Sequence, residues 1–175
     1  SWSIILMGML FISVLKLLGL LNLILKINID MWLACPLYVK IGDHCYHGLC
    51  DVGASVSAIP YTVYQEIMND IAPAQIEDID VTIKLANRDT ISPIGIVGDI
   101  EVFCGKVKYR ADFLVLGFPK DSFCPIIFGR PFLNTINARI DCKKDVVTIG
   151  LDDMSHEFNF SKFHRQPRDE ELPSK

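Results

Sequence analysis

Apolar and polar residues alternate along most of the chain after residue 35, which is the pattern of strands that bury one face. The stretch LYVKI alternates, GDH can turn, and CYHGLC follows, so these residues predict a hairpin. A second and longer hairpin is predicted around Gly105, with every second residue from Val107 to Val115 on one face.

Shorter apolar runs predict further strands. SAIP and CPIIFG are typical of short buried strands, and DVTIKLA, the turn NRDT and ISPIGIVG form a strand-turn-strand unit. ARIDC and VVTIG flank the turn KKD, and HEFNF is a last strand. Pro60 and Pro131 stand ahead of apolar residues, which predicts short helices over residues 61–68 and 131–136.

Many short strands with only two short helices indicate an all-β domain with a closed or rolled sheet. We expect this domain to cover residues 35–160. The remainder, SKFHRQPRDEELPSK over residues 161–175, is charged and contains proline, so it is predicted to be disordered.

Residues 1–34 have a different composition. IILMGMLFISVLKLLGLLNLIL, which begins at residue 4, is long enough to span a membrane, and Lys16 is its only charge. A central lysine costs roughly 3 kcal/mol, which the many apolar residues offset at about 0.3–0.6 kcal/mol each. We predict one apolar helix over residues 4–27 that does not pack into the β-domain. It is a membrane anchor, a buried helix or translated non-coding sequence, and the protein is intracellular if the segment is not a genuine anchor.

Composition excludes some functions. The net charge is −4 and no basic stripe is interleaved with aromatic residues, so nucleic acid is not an expected partner. Hydrophobic residues make up 50% of the chain, which is enough for a core. The six cysteines are expected to be reduced thiols, because no secretory signal precedes them.

The stretch LCDVGASVSAIP places one acidic residue, Asp51, between apolar residues. A turn would account for it, since Asp and Gly are common turn residues and Gly53 can supply a positive φ. The other interpretation is that Asp51 is one half of a catalytic carboxylate pair.

CDVGAS, the unit VTIKLANRDTISPIG and the later IIFGRPFL occur in an order that resembles one family. The chain looks like the retropepsin-like aspartic protease domain of plant gypsy-type LTR retrotransposon polyproteins, or of a domesticated relative. The resemblance covers about residues 36–152. It implies one lobe of the acid protease fold, a homodimer, a polypeptide substrate and no cofactor.

The resemblance also assigns residues. It implies that Asp51 is the catalytic aspartate, that Gly53 and Ala54 form the loop presenting it, and that Gly129 and Arg130 open the helix beneath the site. Since a single chain has one such Asp, each subunit of the dimer would contribute one carboxylate. Arg130 is then a structural hydrogen-bond donor.

The chain departs from the family pattern at two positions. Val52 stands where the family has Ser or Thr, whose hydroxyl ties the two active-site loops together across the dimer. The tip of the substrate-covering flap would be Asn87, Arg88 and Asp89, and Arg88 stands where glycine is common. The first departure bears on catalysis and the second on the mobility of the flap.

Other residues that could carry chemistry have simpler interpretations. Ser55 and Ser57 lack a Gly-x-Ser-x-Gly elbow, so we expect loop hydroxyls that support Asp51 rather than nucleophiles. HCYHGLC offers two histidines and two cysteines, but the spacing is not a zinc pattern and alternation sends neighbours to opposite faces. We therefore predict no metal site.

Two functions remain open from the sequence. The first is an aspartic endopeptidase that processes a retroelement polyprotein, and the second is an inactive domain of the same fold that dimerises or binds. A membrane-tethered β-domain is a third alternative. Val52 is the residue on which the first two divide.

Overall fold

The computed structural model describes residues 2–5, 36–70, 75–84, 89–117, 125–150 and 155–159. These residues form twelve strands and two helices. The strands are β1 (Trp2–Ile5), β2 (Pro36–Ile41), β3 (His44–Cys50), β4 (Ser57–Pro60), β5 (Val81–Lys84), β6 (Thr90–Ile91), β7 (Gly95–Cys104), β8 (Val107–Leu116), β9 (Ile126–Phe128), β10 (Arg139–Asp141), β11 (Val146–Ile149) and β12 (His156–Asn159). The helices are α1 (Tyr61–Asp70) and α2 (Arg130–Thr135).

Six strands close into a barrel in the order β2-β3-β9-β4-β8-β7. The barrel closes where β2 meets β7, at the pair Lys40 and Phe103. Two of the pairings are parallel, β3 with β9 and β4 with β8, and the others are antiparallel. Closure leaves these strands without a free edge, which protects them from pairing with other chains. The prediction of an all-β domain with a closed sheet is confirmed.

Both predicted hairpins are present. β2 pairs with β3 through a turn in which Gly42 has a φ of 59°. β7 pairs with β8 through a turn in which Gly105 has a φ of 63°. In this left-handed region only glycine adopts the conformation without steric cost, so each turn residue fits its place. The other predicted strands that fall among the described residues also form.

Both predicted helices form, with ends that differ by up to two residues from those expected. α1 covers Tyr61–Asp70 and directly follows Pro60, the last residue of β4. It buries Val63 and Ile67, four residues apart on one face, against the barrel. The Tyr46 hydroxyl donates to Glu66 Oε2 at 3.1 Å, which adds a polar contact between the helix and β3.

α2 is the shorter helix and has Pro131 at its start. It buries Phe132 and Leu133, and the Phe132 ring stacks on Phe128 with centroids 4.4 Å apart. Phe128 in turn contacts Phe113 of β8, with centroids 6.0 Å apart. These rings occupy the main core and attach α2 to the end of β9.

Two small sheets accompany the barrel. β10, β11 and β12 form an antiparallel sheet, and β1, β5 and β6 form the other. In the second sheet β1 runs parallel to β5, with Trp2 opposite Val81. The predicted helix over residues 4–27 is therefore wrong at its first two residues, Ile4 and Ile5, which lie in a strand.

The rest of that predicted helix lies outside the described residues, as do Cys35 and the predicted tail over residues 161–175. Across the part of the chain that the structure describes, no helix has both the length and the apolar character needed to cross a membrane. The error at residues 4 and 5 has a physical basis, because apolar character alone does not distinguish a strand from a helix.

The pairing of β7 with β8 contains one irregularity. The register shifts between Val97 and Ile100, which is a β-bulge, and Asp99 in the bulge has a φ of 62°. The Asp99 amide donates to Asp112 Oδ1 at 2.8 Å. A bulge re-aims side chains locally, and here it turns Asp99 towards the charged residues of β8.

Candidate functional site

The parallel pairing of β3 with β9 determines where the candidate site lies. Cys50 is opposite Phe128, and these are the last residues of their strands. Asp51 and Gly129 therefore follow from the same end of neighbouring strands, although 78 residues separate them in sequence. The Asp51 amide donates to the Phe128 carbonyl at 3.0 Å, which continues the ladder by one bond. The loop 51–56 starts from this fixed point, and Asp51 lies between strands as predicted.

Asp51 is a buried carboxylate with only 7% of its surface exposed. Its Oδ1 accepts a hydrogen bond from the Gly53 amide at 2.8 Å, and its carbonyl accepts one from the Ala54 amide at 3.1 Å. This is the geometry in which an Asp side chain binds the backbone two residues later. The Gly53 amide therefore orients the carboxylate, and the Ala54 amide closes the turn of the backbone that carries it.

The second element of the site is the turn at Gly129, which crosses directly beneath the loop. The Arg130 amide donates to the Ala54 carbonyl at 2.9 Å, and the Gly129 amide donates to Ser57 Oγ at 3.1 Å. A Cβ on Gly129 would lie 2.5 Å from the Val56 carbonyl carbon and 3.0 Å from the Ala54 oxygen. Since the φ of Gly129 is −82°, glycine is needed for close approach rather than for backbone conformation.

Arg130 contacts the loop a second time through its side chain. Its Nη1 donates to the Val52 carbonyl at 3.2 Å while the rest of the residue is exposed. Arg130 thus bonds to the loop at two points, through its guanidinium to Val52 and through its amide to Ala54. This is the geometry of a structural donor, the role that the sequence predicted for Arg130.

The Val52 side chain points away from the fold. It is 63% exposed, the largest exposed fraction among the exposed large hydrophobic residues of the described chain. Its carbonyl is held by Arg130, so the side chain is presented to solvent by an ordered backbone. The exposed valine therefore lies directly beside the buried carboxylate of Asp51.

The two serines of this region differ. Ser57 is 3% exposed and accepts the bond from the Gly129 amide, so it joins the first residues of β4 to the second loop. Ser55 is half-buried on the same loop as Asp51. The sequence predicted both serines as loop hydroxyls that support Asp51. Ser57 instead begins β4, and its hydroxyl bonds to the Gly129 amide. A buried hydroxyl requires such a partner.

The flap residues are only partly described. Asn87 and Arg88 lie outside the described residues, and Asp89 immediately precedes β6 and is exposed. β5 and β6 form an antiparallel pair on either side of this turn, with Ile83 opposite Ile91. The assignment of these three residues to a flap tip therefore stays a prediction.

The histidines and cysteines of β3 belong to a strand rather than to a cluster. Cys45 is exposed and Cys50 is buried, and the His47 ring lies 5.2 Å from the Tyr38 ring on the neighbouring strand. Burial lowers the pKa of His47 below its ordinary value. In the described ranges, no group of three or more His, Cys, Asp and Glu side chains is arranged to hold a metal ion.

The geometry has a definite chemical capacity. It presents one orientated carboxylate per chain on a loop that hydrogen bonds hold from two sides. A carboxylate in such a loop can accept a proton from water or donate one to a carbonyl oxygen, depending on its state of ionisation. A reaction that needs both functions at once requires a second carboxylate.

Comparisons with known proteins give a limited result. The chain matches no protein-family model, and no curated protein matches it. Among solved structures it is similar to the retroviral protease-like domain of Ddi1 from Leishmania major, with a TM-score of 0.48 and 17% sequence identity. That alignment covers 70% of this chain and 87% of the other. At such values any chemistry assigned to this chain depends on its own residues.

Proposed function

We propose that the chain is an aspartic endopeptidase of the retropepsin class, in which two copies each contribute Asp51. The observation that carries the proposal is the set of hydrogen bonds that hold residues 51–57 together and join them to Gly129 and Arg130, here called the brace. Asp51, which is buried at the end of β3, accepts a hydrogen bond from the Gly53 amide. Arg130 donates hydrogen bonds to the same loop through its amide and its guanidinium. A turn aspartate at the surface would need none of this. The closed barrel with two short helices agrees with one lobe of this class.

The chemistry follows from pairing two carboxylates. Two carboxyl groups about 3 Å apart cannot both be ionised, because their charges repel, so the pair holds one proton between them. The ionised group takes a proton from water, which attacks the scissile carbonyl carbon. The protonated group meanwhile donates a hydrogen bond to the carbonyl oxygen. Collapse of the tetrahedral intermediate returns the proton to the leaving amine.

A two-fold dimer would supply the second carboxylate, since the sequence holds one Asp-x-Gly-Ala stretch. In a two-fold interface a residue near the axis meets its own copy. Val52 is adjacent to Asp51 and 63% exposed, so an axis close to this loop would bury it.

The substrate class is an extended polypeptide, and we propose retroelement polyprotein or its domesticated equivalent as the source. The sequence predicted membrane attachment through residues 4–27. Ile4 and Ile5 lie in β1, so the proposal keeps this attachment only for residues 6–27, which lie outside the described residues.

The second candidate function is a non-catalytic module of the same fold that dimerises or binds. Val52 is the specific observation that favours it, because valine cannot form the cross-loop hydrogen bonds of a Ser or Thr hydroxyl. In that case the brace around Asp51 would stabilise the fold and would have no role in catalysis.

The experiment is a peptidase assay on the full chain with a degenerate peptide library at mildly acidic pH. Three proteins are compared: the parent chain, Asp51→Asn and Asp43→Asn. Asp43 lies in the exposed β2–β3 turn, so Asp43→Asn removes the same charge at a position away from the loop. We expect cleavage by the parent and by Asp43→Asn, and none by Asp51→Asn. Cleavage that persists with Asn at position 51 would remove this residue from the chemistry.

Val52→Thr separates the two candidate functions. The residue is exposed in the single chain, so the exchange is expected to change folding stability by less than about 0.5 kcal/mol. Two new hydrogen bonds per dimer, each worth about 0.5–1.5 kcal/mol, would tighten the dimer roughly fivefold to a hundredfold. The measurements are sedimentation velocity and specific activity against protein concentration, with Val52→Ala as the control. A dimeric Val52→Thr protein that cleaves no peptide would favour the binding module.

A further inference from the structure

A cleft of about 440 Å³ lies between the β7–β8 hairpin and α2. Its volume is within the range of small-molecule and peptide side-chain sites. Asp51 is not among its lining residues, although Val56 of the same loop and Ser57 are. The cleft was not expected from the sequence, because its two walls come from segments that are far apart along the chain.

The cleft has an apolar floor. Ile96 and Leu114 face each other across the β7–β8 pairing, and Phe132 of α2 completes this surface. Leu114 and Phe132 are almost fully buried, whereas Ile96 is half-buried. Because Leu114 and Phe132 are already buried, an apolar side chain that entered the cleft would remove mainly the half-buried Ile96 and the exposed Pro131 from water. Burial of apolar surface is the main favourable term in most association.

The rim of the cleft carries a net negative charge. Asp99, Arg110 and Asp112 line it, so two carboxylates and one guanidinium leave one negative charge. Arg110 is already neutralised, because its guanidinium forms ion pairs with Asp99 and with Glu101. Asp112 Oδ1 accepts the Asp99 amide, and no Lys, Arg or His among the described residues forms an ion pair with Asp112.

Charge and shape together indicate the ligand. An exposed carboxylate without a cation, above an apolar floor, is complementary to a side chain that ends in a positive charge and has an apolar stem or neighbours. A guanidinium fits best, because its planar donors match a carboxylate in a bidentate arrangement.

We propose that this cleft binds an extended segment of a partner polypeptide through one arginine side chain at Asp112, with the flanking apolar side chains on Ile96, Leu114 and Phe132. This inference goes beyond the proposed function and holds whether or not the chain cleaves peptides. The cleft is also lined by Ser57, which bonds to the Gly129 amide. An occupied cleft therefore contacts the brace beneath Asp51, and binding should raise the melting temperature of the protein.

The test uses a fluorescein-labelled heptapeptide, Gly-Leu-Phe-Arg-Leu-Ser-Gly, titrated with the full chain and followed by fluorescence polarisation. A matched peptide carries citrulline, which has the shape of arginine without its charge. The protein variants are Asp112→Asn, whose Oδ1 can still accept the Asp99 amide, and the control Glu157→Gln on β12. Melting temperatures of all variants are measured beside the titrations.

Because the rim is exposed, we expect citrulline or Asp112→Asn to weaken binding by about threefold to fivefold. The two changes combined should weaken it no further than either alone, since both remove one interaction. Glu157→Gln should bind like the parent. If Asp112→Asn does not fold, the comparison of the arginine and citrulline peptides on the parent protein still tests the proposal.

Four results would overturn the proposal: no binding of the arginine peptide, equal binding of both peptides by the parent, additive effects of the two changes, or equally tight binding of arginine amide alone. A change in oligomeric state with Asp112→Asn would instead assign the cleft to a second copy of the chain and would also overturn it.

Discussion

Replacing Gly129 with alanine is the sharpest structural test of the brace beneath Asp51. The new Cβ would lie 2.5 Å from the Val56 carbonyl carbon and 3.0 Å from the Ala54 oxygen, and closer still to the Val56 oxygen. All of these atoms belong to the backbone, so no side-chain rotation relieves the overlap. Either the loop or the start of α2 must move.

The cost can be worked from two contributions. Overpacking of this kind costs typically about 1–3 kcal/mol. A shift of the turn also weakens the bonds from the Gly129 amide to Ser57 and from the Arg130 amide to Ala54, at about 0.5–1.5 kcal/mol each. The total is roughly 2–6 kcal/mol, against about 5–15 kcal/mol for a typical domain. For a chain of this size that corresponds to a fall of roughly 4–24 °C in melting temperature.

The assay is urea denaturation followed by circular dichroism, with Gly117→Ala as the matched control. A Cβ on Gly117 would meet no heavy atom within 4 Å, so this exchange should stay within about 0.5 kcal/mol of the parent. A Gly129→Ala protein within the same margin would refute the reasoning, because the close approach would then be relieved without cost.

Three further predictions follow from other parts of the structure. Ser57→Ala should lower the free energy of unfolding by about 1–3 kcal/mol, because the buried Gly129 amide loses its acceptor; an unchanged urea midpoint would contradict this. Since burial lowers the pKa of His47, the unfolded chain binds the proton more readily, and stability should fall as the pH drops through about 6.5. His47→Gln should lose less free energy of unfolding than the parent between neutral and mildly acidic pH. Equal losses in the two proteins would contradict this role of His47. Deleting residues 1–34 removes β1 but no barrel strand, so one cooperative unfolding transition should remain; its loss would place that segment in the core.

Much of the fold could be predicted because its signals are local. Alternation specified the strands of both hairpins, and glycine marked the turns at Gly42 and Gly105, where φ is positive. Pro60 and Pro131 placed the helix starts within a residue. Asp51 was identified by a short motif whose geometry is also local, since its carboxylate bonds to the amide of Gly53 two residues later.

The rest depends on contacts between distant segments, which leave no local pattern. The bond between Ser57 and the Gly129 amide joins residues 72 positions apart. Similarly, Gly129 looked like part of a helix-start motif, and only the crossing beneath Val56 shows why glycine is required. The bulge at Asp99 and the cleft beside it were missed for the same reason. At Ile4 and Ile5 the apolar run was compatible with both helix and strand, and the pairing with β5 decided it.

The brace and the chemistry make different demands on the sequence. The brace consists of hydrogen bonds within the chain, through backbone amides, the Ser57 hydroxyl and the Arg130 guanidinium. Such a brace stabilises a single copy and would persist in an inactive domain. Proteolysis by paired carboxylates needs in addition an interface at the loop, and Val52 is the exposed side chain there. Burying a valine against its copy contributes apolar area without fixing the angle between the two loops, whereas hydroxyl bonds contribute direction. We therefore expect the distinction between enzyme and binding module to appear in the geometry and affinity of the dimer at Val52, and not in the stability of the folded chain.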